Sequence, residues 1–168
     1  MGGDRNACMR IPNLGETDLL VPLHSGMFEQ PMWQTFMRRL RGVCAAEGVA
    51  IMLAGSGERH EVVLREGAGA AVPDKAMRDA RVYTGDELQA AESGLRAVRV
   101  GAADAMVTLA VSGSPAPGAE IASLLSALVP HLRVALQVLS AIERERGRAS
   151  ASAEAFRRMN FGWIAIDE

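Results

Sequence analysis

Residues 118–143 read Gly-Ala-Glu-Ile-Ala-Ser-Leu-Leu-Ser-Ala-Leu-Val-Pro-His-Leu-Arg-Val-Ala-Leu-Gln-Val-Leu-Ser-Ala-Ile-Glu, and this stretch decides the fold. Ile121, Leu125, Leu128, Leu132, Ala135, Leu139 and Ile142 recur at alternating spacings of four and three, the pattern of a heptad seam. The spacing predicts one long helix with a partner. A second stripe, Leu124, Ala127, Val134, Val138 and Ala141, lies round to one side, so two apolar contacts need covering. One can face its own domain and the other a second copy. Ile121, Leu125, Leu128, Leu132, Leu139 and Ile142 are the expected dimer contacts, although spacing alone leaves open which stripe meets the second copy. Pro130 removes a backbone donor and disfavours helical geometry at Val129, at roughly 3 kcal/mol, so a kink or restart is expected there. Glu120 in the first turn suits the positive end of the helix dipole.

Upstream of this helix the periodicity changes from helical to alternating. Leu95–Val100 and Ala105–Ser112 read as strands joined by Gly101-Ala-Ala-Asp, a hairpin turn in composition. On the second strand Ala105, Val107, Leu109 and Val111 form a core face; Met106, Thr108, Ala110 and Ser112 form a small, mixed face suited to flooring a cavity. Val49–Ala54 and Arg59–Arg65, separated by Gly55-Ser-Gly, read as another hairpin. Between the hairpins, Gly67-Ala-Gly-Ala-Ala-Val-Pro-Asp is a flexible connection without a phosphate-loop motif, and Asp74–Ala80 reads as a helical turn. Arg81–Tyr83 reads as an edge strand and Asp86–Ser93 as a small helix.

Nearer the N-terminus, residues 1–15 read as a loose arm. Leu19, Leu20, Leu23 and Met27 suggest a short helix that Pro22 must start or bend. Pro31 begins a stronger helix whose core face is Met32, Trp33, Phe36, Met37, Leu40 and Val43, closed by Gly48, with Cys44 as a small buried hydrophobe on that face. Beyond the long helix, residues 147–160 form a charged, Ala-rich helical linker with Gly147 as its weak point. Phe156 and Met159 resume an apolar edge there. Phe161-Gly-Trp-Ile-Ala-Ile-Asp-Glu then reads as a lone strand, expected to pair with a partner sheet or to open a truncated further segment.

Composition narrows the function classes. The chain has 168 residues, 49% hydrophobic and 23% charged, with a net charge of −2, ordinary values for a globular protein with one core. Arg38, Arg39 and Arg41 are the only compact basic cluster, read as a wet helix face rather than a phosphate grip, so direct nucleic-acid binding is not expected. Cys8 and Cys44 lack ligand spacing, no apolar run is read as reaching the ~18 residues of a membrane span, and no signal peptide is evident. A cytoplasmic location is expected. With aromatics at 4%, no haem or flavin is expected, and no cofactor is implied.

An enzyme needs a constellation, and none is visible. His24, His60 and His131 are scattered without metal-ligand spacing, and no Ser sits in GxSxG. Only an unforeseen meeting of Cys44, His60 and an acid would supply one.

The order of helix, hairpin, irregular middle, hairpin and long helix resembles a GAF-like sensor domain. Leu128-Val-Pro-His-Leu-Arg-Val-Ala-Leu-Gln-Val-Leu is similar to the Pro-His-Leu-containing helix in the N-terminal regions of bacterial LuxR-type helix-turn-helix transcriptional regulators. The closing Phe161–Glu168 stretch resembles the opening strand of a PAS-like segment. The resemblance implies an α+β fold: a five- or six-stranded antiparallel sheet with helices on one face, a pocket on the other, and a C-terminal helix relaying to an output domain. Residues 16–146 would be the sensor and dimerisation domain, and 161–168 the start of a PAS-like segment. DNA would be reached only through a domain that this sequence lacks, and no cyclic-nucleotide signature or chromophore-attaching cysteine is present.

The expected function is a sensory and homodimerisation module, not an enzyme and not membrane-bound. If a small-molecule ligand is bound, Met52, Tyr83, Met106 and Thr108 are the pocket candidates, with Arg96 or Arg99 as an anion partner. The alternative is a purely structural dimerisation domain; a small enzyme is the third reading.

Overall fold

Strand alternation places β5 (Ala105–Ser112) at the centre of a five-stranded antiparallel sheet, since its core-facing residues require cover along their whole length. The strand order is β2-β1-β5-β4-β3, where β1 is Gly48–Gly55, β2 Glu61–Gly67, β3 Val82–Thr84 and β4 Arg96–Ala102. The computed structural model describes residues 11–55, 61–68, 77–92, 94–102 and 104–158. Both expected hairpins form, β1 with β2 and β4 with β5, and β1 pairs with β5 to join them. The β3 segment is an edge strand, as its shortness and position predict.

Helices α1 (Leu20–Ser25), α2 (Gln34–Val43) and α4 (Gly118–Arg158) cover one sheet face. Val49, Ile51, Val98, Val100, Val107, Leu109 and Val111 point into this main core, the last three as their alternation predicts. Helix α4 lies over β4 and β5, α2 lies over β1 and β2, and α1 rests against both helices. The opposite face carries a smaller cluster, Met77, Tyr83, Leu88, Leu95, Ala97 and Ala110, with α3 (Gly85–Leu88) beside it. Thr84 caps α3 by accepting from the Glu87 N–H (3.2 Å), while Glu87 returns a carboxylate to the Thr84 N–H (2.9 Å).

Several boundaries differ from the sequence expectations. The Ile11 N–H donates to Glu120 (2.6 Å), and Leu14–Glu16 form a 3-10 turn, so the expected loose arm does not extend over 11–15. Pro22 stands in the first turn of α1, where no helical donor is lost. Helix α2 begins at Gln34 rather than Pro31; the Gln30–Pro31 peptide is cis and Trp33 takes a left-handed φ of 55°. Gly48 opens β1 instead of closing α2, because the chain has already turned at Ala45 (φ 44°). The described end of the expected 74–80 helical turn is not helical: Asp79 bridges to Arg99, and Ala80 has a φ of 58°. The expected strand at 161–168 lies outside the described residues.

Helix α4 shows the largest difference. It runs unbroken through Pro130 and Gly147 for 41 residues, about 61 Å. Pro130 and Ser126 are both on the exposed side, so the carbonyl that loses its donor is available to water rather than stranded in the core. The 147–158 stretch continues the same helix, in place of a hinged linker. By length and composition alone helix α4 is also long and apolar enough to cross a membrane, which corrects the expectation that no such run exists. Within this fold Ile121, Leu124, Leu125, Leu128, Leu132, Ala135 and Leu136 are core residues of the sheet domain, which accounts for that apolar character.

Trp33 pins the N-terminal helices together. Its indole is fully buried and donates to the Leu23 carbonyl (2.8 Å), while its backbone N–H donates to the Gly26 carbonyl (2.7 Å). A Cβ at Gly26 would stand 2.6 Å from Trp33 Cδ1. Gly26→Ala should therefore lower unfolding stability by about 1–3 kcal/mol through overpacking, and Trp33→Ala by about 3–5 kcal/mol through the cavity left behind. Urea unfolding followed by circular dichroism measures both; an unchanged midpoint for Gly26→Ala would mean that the ring is not held against residue 26.

Candidate functional site

The period of two along each strand sorts the pocket candidates by face. Val63, Met52, Thr108 and Arg99 are direct neighbours in one lateral row across β2, β1, β5 and β4. Arg65, Ala50, Ala110, Ala97 and Tyr83 form the next row, and Met106 stands between Ala54 and Gly101 in the row on the other side. Met52, Tyr83, Arg99, Met106 and Thr108 thus share the face opposite the main helices. Arg96 does not. It pairs with Val111 on the helix side, and its guanidinium lies on Gly118 at the start of α4, where an added Cβ would be 2.2 Å from Nη2. Arg96 is therefore excluded as the anion partner on the second face.

Arg99 is half-buried and donates from Nε to the hydroxyl of the buried Thr108 (3.1 Å). No carboxylate among the described residues forms an ion pair with it. In the next row the face is closed rather than hollow: Ala50, Ala97 and Ala110 have no exposed surface, and beyond them Ser112 Oγ is buried without a hydrogen-bond partner. Small side chains here allow close cover by the second cluster, so the small, mixed face expected to floor a cavity is largely filled.

A cavity of about 490 Å³ opens one row away, at the turn end of the β4–β5 hairpin, where Met106 is the sole candidate among its described lining residues. Asp79 and Asp104 also line it, and both are tied to α4. Arg133 donates to Asp79 (2.7 Å), and Arg144 pairs with Asp104 (3.8 Å); Asp79 in turn accepts from the Gly101 N–H (2.8 Å). These four residues escaped sequence reasoning. Their signal was the separation of eleven residues between Arg133 and Arg144, three helical turns that put both on one side of α4.

The long helix corrects the expected dimer contacts. Ile121, Leu125, Leu128 and Leu132 are 0–1% exposed within the single chain, because they are packed on the sheet and no second copy can reach them. Leu139 is half-buried against the edge of the same core, and Ile142 is half-buried one turn further on. The second stripe has the opposite fate. Apart from Leu124, which is buried, its residues Ala127, Val134, Val138 and Ala141 all face outward.

Cys44 is fully buried at the end of α2, and burial pushes its thiol up to about 12. His60 lies outside the described residues. Among the described residues no three His, Cys, Asp or Glu side chains are grouped to hold a metal ion. No family model matches this chain, and neither a curated protein nor a solved structure is significantly similar to it.

Two outcomes follow from this geometry. Thr108→Val keeps the side-chain shape but removes the acceptor for Arg99, so it should cost about 1 kcal/mol in urea unfolding; an unchanged midpoint would mean that the Arg99 contact does not stabilise the sheet face. Cys44 should resist iodoacetamide at pH 8 in the folded chain and react at least about 100-fold faster in urea, since the thiolate is the reacting form. Peptide mass spectrometry reads this directly, and rapid native labelling would show that the end of α2 opens.

Proposed function

We propose that the chain is the regulatory sensory and dimerisation module of a bacterial LuxR-type transcriptional regulator, with a GAF-like sheet domain as input and α4 as the output rod. The observation that carries this reading is the continuity of α4. Its first part supplies the core of the sheet domain, and Glu143–Ala153, still helical, are all exposed. Displacement of the domain end of such a rod is delivered to its far end without an intervening hinge. The ties from Arg133 to Asp79 and from Arg144 to Asp104 link the same rod to the β4–β5 hairpin. Input at the second sheet face therefore has a short physical route to the helix. A cytoplasmic setting and a homodimer belong to this reading, and DNA is contacted by the output domain alone.

A second reading, a dimerisation domain with no ligand, is favoured by the filled floor of Ala50, Ala97 and Ala110. Native mass spectrometry of chain purified from a bacterial host separates the two: a bound small molecule supports the sensor, and apo mass alone supports the structural domain.

The relay itself is tested by phase. Fused ahead of a DNA-binding domain that represses only as a dimer, the chain should confer repression. A four-residue helical insertion after Arg144 rotates the output by about 40° and breaks the heptad register, so repression should fall at least about 10-fold; a seven-residue insertion should largely restore it. Equal repression by both insertions would overturn the rigid-rod reading even if the chain dimerises.

A further inference from the structure

Among the described residues, four of the seven exposed large hydrophobic side chains, Val21, Phe28, Val134 and Val138, lie on α1, the turn after it and α4, and Val62, Val63 and Met106 lie on β2 and β5. Ala127, His131, Val134, Val138 and Ala141 follow one another at spacings of four, three, four and three along the outer side of α4, a heptad stripe separate from the buried seam. Val134 and Val138 are 48% and 42% exposed, and on α1 and the turn after it Val21 and Phe28 are 75% and 66% exposed. His24 and His131 meet edge to face with ring centroids 5.8 Å apart, which joins the two exposed sets into one surface. A shallow apolar depression of about 470 Å³ lies on the α1 side of that junction.

We infer that this α1–α4 face is the interface with a second copy of the chain, the two α4 helices pairing in parallel along the outer stripe. This inference rests on the dimeric reading above and assigns its surface. Three observations select a second copy as the occupant. First, a straight stripe with a 3.5-residue repeat is matched by a helix carrying the same repeat, and another α4 supplies it. Second, the charges bordering the stripe are neutralised in the chain: Arg133 with Asp79, Arg144 with Asp104, Arg146 with Glu143 and Arg148 with Glu145. Two identical faces therefore approach without a like-charge barrier. Glu145 and Arg148 continue the same stripe, and their ion pair within each chain (2.7 Å) leaves no net charge at that point. Third, length is available. From Ala127 to Arg158 the helix offers about 45 Å of length, with the exposed Val21 and Phe28 alongside it. An antiparallel pair would leave both projecting ends without a partner helix.

Light scattering after size exclusion at 5–50 µM tests the assignment, with a dimer of twice 17.9 kDa expected. Val134→Glu with Val138→Glu should weaken dimerisation at least about 10-fold while the far-ultraviolet circular dichroism spectrum and melting temperature stay close to the parent, since both side chains are outside the core. Val62→Glu with Val63→Glu, equally exposed but on β2, should leave the dimer intact. In a Cys8→Ser background, Val138→Cys should form an intermolecular disulfide on mild oxidation and Val63→Cys should not. A monomer at 50 µM, a dimer broken by the β2 pair and not by the α4 pair, or a dimer without the Val138→Cys cross-link would each overturn the assignment. Failure of the relay reading looks different: the insertion variants would lose their phase dependence while dimer mass and cross-linking persist.

Discussion

The contact between the inner seam of α4 and strands β4 and β5 is the one on which the remaining structure depends. Ile121, Leu125, Leu128, Leu132 and Ala135 close the main core from above, and the side chains below them, Val98, Val100, Val107 and Leu109, have no other cover of comparable size. Full burial of one such large aliphatic side chain is worth about 1.5–3 kcal/mol, so the four large ones contribute on the order of the whole net stability of a small domain. The helix cannot leave the sheet without unfolding the domain. This fixes its rotation about its own axis, and with it which residues face outward.

The same constraint explains what the sequence made legible and what it left hidden. Apolar, β-branched runs broken by Gly-containing turns disclosed both hairpins, and alternation disclosed the core face of β5, because a strand has only two faces and one of them must be dry. The seam of α4 was equally visible as a stripe, yet its partner was not. Spacings of three and four describe a helix on a sheet as well as a helix on a helix, and the difference lies in how much apolar surface the other elements leave uncovered. Only once α2 is seen to cover β1 and β2 does it follow that the inner stripe must serve β4 and β5. The outer stripe is then the apolar side of α4 that the chain itself leaves uncovered.

The two arginines of β4 show a case where the sequence held more than composition conveyed. Positions 96 and 99 differ by an odd number, so in any regular strand they point to opposite faces, and just one of them can accompany Met106 and Thr108. The choice between them depends on register, which pairing with β5 fixes: Arg99 opposes Thr108 and Arg96 opposes Val111. Pro130 is a contrasting case. Proline's cost in a helix is local and was expected to interrupt it, but the lost donor falls on the wet side while the helix is held by the seam on the dry side. Long-range packing overrode a local preference that no pattern of neighbouring residues could have shown to be affordable.

Between the sheet and the projecting end of α4 the attachments change in kind. As far as Leu136 the helix is held by buried apolar contacts; toward Ile142 these thin to half-buried residues, and the tie at Arg144 is an exposed ion pair to Asp104. Exposed pairs contribute at most about 1 kcal/mol each. The far part of the rod is therefore aligned by interactions weak enough to be exchanged, while its base moves only together with the core. A ligand or partner altering the β4–β5 turn would act on Asp104, whose pair with Arg144 lies in that weak zone, and would not have to disturb the core. Physical coupling of this kind requires a difference in free energy of only one or two such contacts between two alignments of the helix end, which is the scale on which regulatory couplings operate.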